Sequence, residues 1–334
     1  MGESRCGGET PMTVVYSSDD NYAYLTAVSA LSVLKHDPGA KIIVLGYALG
    51  GALREMIRRT VESNGGVFEY SDIGRKLEKF KESSYRPYTS YAAYSRIFIP
   101  DVVEEGRGLY LDCDTLVNAP LNELFKFDMK GLPVALSGDV VSSSYLEYIN
   151  LPEGASYFNT GVMLMDVESW REHSCFERIV AELENPGGPN PLGDQDIIAR
   201  SLSGMISHLP PKWNFLSQYF MHSYDAIARI SGKRFPIVFS RQEYEQALLS
   251  PAIYHFSGNT LGRPWQKGSH HPARRRFYSI AKEAGLYSKV MRNTRIPLAY
   301  EIQYLLYRIL PKNLYGRVSR IILRLHIYLT YGRA

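Results

Sequence analysis

The sequence predicts an α/β protein: a mostly parallel, mixed sheet flanked by helices, with a basic helical region at the C-terminal end. Three observations lead there. Short β-rich apolar runs alternate with stretches of helical period, one run ends in two carboxylates two residues apart, and positive charge is concentrated beyond residue 269.

Residues 1–11 read as a flexible N-terminus. Met12 to Tyr16 is a first strand, broken by Ser17-Ser18-Asp19-Asp20, and Tyr24, Ala27, Val28, Leu31 and Leu34 then recur near helical spacing. Lys41 to Leu49 is a second β-rich run, Ala52 to Glu62 a helix and Gly66 to Tyr70 a third strand, so the chain opens as βαβαβ. Further strands are expected at Gly108 to Leu111, Pro133 to Leu136, Phe158 to Asp166, Met205 to Leu209 and Ala252 to Phe256. Phe176, Ile179, Val180 and Leu183 mark a helix. In such sheets ligands sit in the crevice beyond the carboxyl ends of the strands, so the loops that follow strands are where chemistry is expected. An α/β domain is expected over residues 12–269 and a basic, amphipathic helical region over 270–334.

Composition narrows the class. With 334 residues, 45% of them hydrophobic, the chain can bury a large core, which excludes wholesale disorder. Cys6, Cys113 and Cys175 are too few and too scattered for a disulfide framework or a Cys-rich zinc site, which points to a reducing compartment. No run of 18 apolar residues spans a bilayer and Met1 to Thr10 hold no apolar secretory core, so a cytoplasmic protein is expected. Residues 270–334 carry thirteen Lys/Arg against two acids, a net +11; the whole chain is +4, so residues 1–269 sum to −7. A mildly acidic body is thus joined to a strongly basic tail, and the two parts are expected to meet different partners.

The segment Gly108-Leu-Tyr-Leu-Asp112-Cys113-Asp114 is an apolar strand ending in two carboxylates. Residues i and i+2 of a strand project to one side, so both can approach one cation. Two hard oxygen donors leave most of a six-coordinate shell for phosphate oxygens, the usual way Mg²⁺ or Mn²⁺ is held beside nucleotide phosphates. Alone, the triplet is weak evidence and reads more readily as a solvated turn, so its context has to decide. The loop Ser17-Ser18-Asp19-Asp20-Asn21-Tyr22 suits a helix cap or a base and ribose contact. His255-Phe-Ser-Gly258, with Arg263-Pro-Trp265 behind it, puts a histidine, a glycine turn and a cation after a strand. Phe158-Asn159-Thr-Gly161 and Asp194-Gln195-Asp196 complete the set, the latter at a helix start where it also reads as a cap cluster.

Six collinear blocks, SSDDNYA, YSRIFIP, YLDCDTLV, FNTGVMLMD, DQDIIA and HFSG…RPW, together resemble the retaining nucleotide-sugar glycosyltransferases of family 8 over about residues 12–265. The resemblance implies a GT-A fold, a UDP-sugar donor, Mn²⁺ or Mg²⁺, and transfer with retention at the anomeric carbon. It implies Asp112, Asp114 and His255 as metal ligands. Ser17, Asp19, Asn21 and Tyr22 would contact the uridine portion, with Cys113, Gly258 and Arg263 in the same nucleotide site. Arg96 and Asn159 would line the sugar pocket. Asp194 and Gln195 would sit beside the transferred sugar as the catalytic pair, Gln195 near the face of the anomeric carbon, while Asp196 orients the turn. One block departs from the family: two residues are inserted after Gly258, and Arg263 stands where a lysine is usual.

The expected function is therefore metal-dependent transfer of galactose or glucose from a UDP-hexose donor to a saccharide or glycolipid acceptor, such as a lipopolysaccharide or other cell-surface glycan. Two alternatives compete. A haloacid-dehalogenase-like phosphatase carries a motif like Asp112-Cys-Asp114-Thr115-Leu116, but normally on its first strand. A non-catalytic nucleotide-sugar binding protein would keep the fold without needing the metal residues.

In the tail, Ile302, Leu305, Leu306 and Ile309 form one helical stripe and Val318, Ile321, Ile322 and Leu325 another, flanked by Arg317, Arg320 and Arg324; Pro311 and Gly316 are expected to separate the helices. Apolar stripes with basic rims suit a helix lying in an anionic membrane interface, here the cytoplasmic face. Packing against the catalytic domain is the competing reading. No nucleic-acid motif accompanies the charge.

Overall fold

The computed structural model describes residues 11–81, 91–232, 234–235, 237–258, 260–311, 314–319, 321–322 and 325. The expected flexible stretch 1–11 lies outside this set save for Pro11, as do Arg320 and Arg324 of the tail.

The opening βαβαβ forms as expected. Strands β1 (Thr13–Ser18), β2 (Lys41–Gly46) and β3 (Val67–Asp72) are joined by the helices Ala23–Leu34 and Gly51–Glu62. They are followed by β4 (Arg107–Leu111), β5 (Thr115–Val117), β6 (Val134–Gly138), β7 (Phe158–Asp166), β8 (Ile206–His208), β9 (Phe215–Leu216) and β10 (Ile253–His255). The main sheet has the order β3-β2-β1-β4-β7-β6-β8. Every ladder is parallel except the two made by β7, which runs antiparallel between β4 and β6.

Alternation along the strands builds two cores. Val14, Tyr16, Leu109, Leu111 and Leu164 face one layer, while Val15, Tyr110, Met163 and Met165 face the other, packed with Trp170, Ile179 and Ile197. The helix Ala23–Leu34 is buried on nearly every side, Tyr24 alone being less than fully covered. Its hydroxyls are paired accordingly: Ser29 Oγ lies 3.0 Å from Tyr16 Oη and 3.1 Å from Thr115 Oγ1, and Ser32 Oγ accepts from the Val117 amide at 2.9 Å.

The strand expected at Ala252 to Phe256 is found, but in a second sheet. β10 pairs antiparallel with β5 and parallel with β9, and its register sets His255 opposite Thr115. That pairing carries a residue from far down the chain to the end of β4.

C-terminal to residue 270, Phe277 of the helix Arg274–Glu283 packs against Phe256 and Trp265, and Ala281, Leu286 and Val290 join the first core. The helix Leu298–Ile309 ends before Pro311, as expected. Gly316 does not separate helices: it lies inside a helical stretch over residues 314–319, where a Cβ would come 2.9 Å from that of Ala226. Its role is close approach rather than interruption. Among the described residues no helix is long and apolar enough to cross a membrane.

Candidate active site

Strand β4 ends where antiparallel β7 begins, and the Asp112 amide donates to the Gly161 carbonyl at 2.8 Å. The acidic triplet is thereby pressed against Asn159-Thr-Gly161 at the start of β7, while the Phe256 amide donates to the Asp114 carbonyl at 2.9 Å from the other side. The result is a cluster: Asp112, Asp114 and His255 each offer one ligand atom, all within 4.8 Å of one another. His255 Nε2 is 3.3 Å from Asp114 Oδ1 and 3.8 Å from Asp112 Oδ2.

The supports of this cluster aim it. Asp112 Oδ1 accepts from Tyr110 Oη at 2.9 Å and from Arg96 Nη2 at 3.0 Å, which leaves Oδ2 toward His255. His255 Nδ1 is 2.9 Å from Asn214 Oδ1, so the ring turns Nε2 inward. Gly161 supplies the room, because a Cβ there would overlap the His255 ring and stand 2.6 Å from Asp112 Oδ2. Two carboxylates and one imidazole, oriented from behind and facing a shared space, could hold a divalent cation.

Opposite lies an anionic and amide cluster. Arg96, on the 3₁₀ segment Tyr91–Asp101, is buried with its Nε 3.1 Å from Asp194 Oδ2, and Thr160 Oγ1 donates to the same oxygen at 3.2 Å. Gln195 is held at both ends of its amide: Oε1 accepts from Asn159 Nδ2 at 3.1 Å and Nε2 donates to Asp139 Oδ2 at 3.0 Å. Asn159 Oδ1 in turn accepts from Asn214 Nδ2 at 2.8 Å, so a continuous amide chain runs from His255 to Gln195. Asp196 is fully buried and accepts from Tyr145 Oη, Tyr157 Oη and the Leu192 amide, which fixes the turn leading into the helix Asp194–Ser201.

The site encloses a cavity of about 270 Å³ whose wall includes every candidate named from the sequence except Asn21 and Asp196. Asn21 is exposed, and its backbone N–H donates to Asp19 Oδ1 at 2.9 Å, as does the Tyr22 backbone N–H at 3.1 Å. Asp19 thus shapes the loop as well as lining the cavity. Ser17 Oγ donates to the Ala92 carbonyl at 2.7 Å and Cys113 Sγ to the Ser17 carbonyl at 2.9 Å. Gly258 takes φ +79°, and Arg263 Nη2 stands 3.8 Å from Asp114 Oδ2.

Burial and charge set the protonation states. Burial raises Asp194 from 3.8 to about 6, against the pull of Arg96. Burial also works to raise Asp114, but His255 and Arg263 outweigh it and bring it down to about 2. For His255 burial works downward and the Asp114 and Asp112 carboxylates prevail, raising it. Arg96 stays charged: burial opposes its charge, and Asp194 with Asp112 more than restores it.

Asn214, Asp139, Tyr110 and Thr160 are the site residues the sequence reading missed. Tyr110 and Asp139 were findable, the first by the i, i+2 rule from Asp112 and the second by its position just past the carboxyl end of β6. Asn214 carries no local signal.

The mostly parallel sheet, with paired acids at a strand end and a distant imidazole folded onto them, has the GT-A fold. The chain belongs to glycosyl transferase family 8, whose profile matches residues 13–268. That match leaves the phosphatase alternative without support. The chain is 29% identical over 276 residues to General stress protein A of Bacillus subtilis (strain 168), covering 80% of this chain and 92% of that protein. It is 30% identical over 186 residues to Glycosyltransferase GlyF of Streptococcus pneumoniae serotype 4 (strain ATCC BAA-334 / TIGR4), covering 56% and 44% respectively. Among solved structures, the galactosyltransferase LgtC in complex with donor and acceptor sugar analogues aligns with TM-score 0.64 at 25% identity, over 81% of this chain and 96% of that one.

Proposed function

We propose that the protein is a metal-dependent, retaining hexosyltransferase that moves galactose or glucose from a UDP-sugar to a saccharide acceptor, a lipopolysaccharide or other cell-surface glycan. The observation that carries the reading is the convergence of Asp112, Asp114 and His255 within 4.8 Å on one side of a cavity that has Gln195 and Asp194 in its wall. In this reading those three residues hold Mn²⁺ or Mg²⁺, which when bound supplies Lewis-acid neutralisation of a departing diphosphate.

The protein's own groups do the rest. Ser17, Asp19 and Tyr22 receive the uridine portion, with Asn21 at the rim of their loop and Cys113 and Gly258 shaping the nucleotide wall. Arg263 contacts the diphosphate, and Arg96 and Asn159 orient the sugar. Gln195, immobilised by Asn159 and Asp139, presents the free side of its carbonyl oxygen to positive charge developing at the anomeric carbon. A neutral amide is a poor nucleophile, so the acceptor oxygen attacks from the face the UDP leaves. The bond from the anomeric carbon to the phosphate oxygen breaks with its electron pair going to UDP, the acceptor oxygen forms the new bond, and its proton passes to a diphosphate oxygen.

The acceptor is placed at the cytoplasmic face of the membrane, with the protein held there peripherally by its basic tail. Supporting this, Leu298, Ile302, Leu305 and Ile309 are 76%, 52%, 57% and 68% exposed along one side of their helix. Residues 270–334 also carry the +11 charge that complements an anionic surface. A screen of UDP-hexoses for Mn²⁺-dependent UDP release tests the reading. Release from one donor, lost in Asp112→Ala, is the expected result. UDP binding without any turnover would return the protein to the non-catalytic alternative.

A further inference from the structure

The loop between Gly258 and Arg263, where the family resemblance implies two inserted residues, is where the chain beyond residue 268 packs. Thr260 Oγ1 donates to Gln303 Oε1 at 2.9 Å. Leu261 is buried with Met221 and Tyr315, and Tyr304, Leu306, Tyr307 and Leu310 pack around that cluster. Gly262 has φ +67°, and a Cβ there would overlap Ile296. The contact continues past the loop: His270 Nε2 is 3.0 Å from Glu301 Oε2, and its ring stacks on Tyr304 at 3.8 Å with the planes 6° apart. Strand β11 (Gln266–Lys267) pairs with β12 (Arg292–Arg295), and Gln266 Oε1 accepts from the Arg263 amide at 2.7 Å. Arg263 is thereby gripped on both sides by groups anchored in residues 292–310 and Tyr315, while its guanidinium faces Asp114.

We infer that Arg292–Leu310, with Tyr315, is a structural part of the donor site, with Ile296 and Gln303 as positioning residues that hold Thr260–Gly262 so that Arg263 reaches the diphosphate. A cation on an inserted loop has more conformations to lose than one on a short turn, and each of them weakens the contact it makes. Packing Leu261 against Tyr304, Leu306 and Tyr315, and Gly262 against Ile296, removes that freedom before the ligand arrives. The inference rests on the reading of Arg263 as a diphosphate contact.

The test is calorimetric titration of the full chain with UDP in the presence of Mg²⁺, and separately with Mn²⁺ alone. Ile296→Ala is expected to weaken UDP binding about tenfold, Ile296→Val much less, and neither to change Mn²⁺ affinity. Gln303→Ala, a milder change on a half-exposed residue, covers the case in which Ile296→Ala does not fold, and is expected to weaken UDP binding about threefold. In an Arg263→Ala background the same substitutions should add nothing, because their effect passes through that side chain. Wild-type UDP affinity in both single variants, or equal weakening with and without Arg263, overturns the inference. If Arg263→Ala itself binds UDP normally, the diphosphate reading of Arg263 fails first and this inference falls with it.

Discussion

Asn214 Oδ1 lies 2.9 Å from His255 Nδ1, and Asn214 Nδ2 lies 2.8 Å from Asn159 Oδ1, so one buried amide orients both the imidazole and the asparagine that steadies Gln195. The imidazole can turn Nε2 toward Asp112 and Asp114 only while Nδ1 keeps that partner. Asn214→Ala should therefore lower Mn²⁺ affinity by about 10- to 100-fold, the usual cost of losing an outer-shell partner of a metal-bound histidine. Titration with Mn²⁺ followed by electron paramagnetic resonance reads this directly. Unchanged affinity would show that the ring needs no such support.

Gly161 makes the complementary prediction. Its missing Cβ is the space into which the His255 ring fits, and its backbone has no positive φ that alanine would strain. Gly161→Ala should fold, at an overpacking cost of about 1–3 kcal/mol, and should lose metal binding because both His255 and Asp112 must shift. A circular dichroism melt and an Mn²⁺ titration on one sample check both halves. A folded variant that binds Mn²⁺ like the wild type counts against the site.

How much of this was legible follows from which contacts are local. The βαβαβ opening and the acid pair at the end of β4 were readable, because strand period and the i, i+2 rule act over a few residues. His255 could be tied to Asp112 only through the ordered blocks of a family, since the β5–β10 pairing that joins them has no local signature. Asn214 was invisible for the same reason, sitting on a short turn ahead of the two-residue strand β9. Gly316 was misread as a breaker because composition alone does not separate a glycine that ends a helix from one that lets a helix approach its neighbour.

Asp194 sets a pH dependence. Burial lifts its carboxyl to about 6, above the ordinary 3.8, so the folded protein holds that proton more tightly than the unfolded chain. Its contribution to stability is therefore favourable below about pH 4 and declines as pH rises to about 6. Activity runs the other way, because the ion pair with Arg96 at 3.1 Å needs the carboxylate. In the metal-free protein, carbon NMR should show Asp194 titrating near pH 6, and Mg²⁺ should lower that midpoint by favouring the charged form. A midpoint near 4 without metal would mean that water reaches the group.

Gln195 and Asp112 separate binding from chemistry. Gln195 is fixed by Asn159 and Asp139, and in the proposed reading its removal leaves nucleotide binding intact while taking away the group that meets the anomeric carbon. Gln195→Ala should reduce kcat by about 10²- to 10³-fold, the scale of one preorganised stabilising group, with UDP affinity near that of the wild type. Asp112→Ala should abolish metal-dependent turnover. Full transfer activity in Asp112→Ala would remove the metal assignment.

The exposed stripe of the helix Leu298–Ile309 needs a test that leaves its packed side alone. Deleting the tail would strip Ile296 from Gly262 and Tyr315 from Leu261, and so would disturb the nucleotide wall together with any surface contact. Leu305→Glu with Ile309→Glu changes only outward-facing positions, where the side chains are more than half exposed. Sinking a leucine or isoleucine into a lipid interface gains about 0.8 kcal/mol for each buried methylene, and a carboxylate there adds repulsion from anionic headgroups. The pair should therefore weaken binding to phosphatidylglycerol-containing vesicles by at least about tenfold while UDP affinity in solution is unchanged. Vesicle binding equal to that of the wild type would assign attachment to the positive charge alone, and binding by neither protein would leave the helix as a brace of the donor site with no part at a membrane.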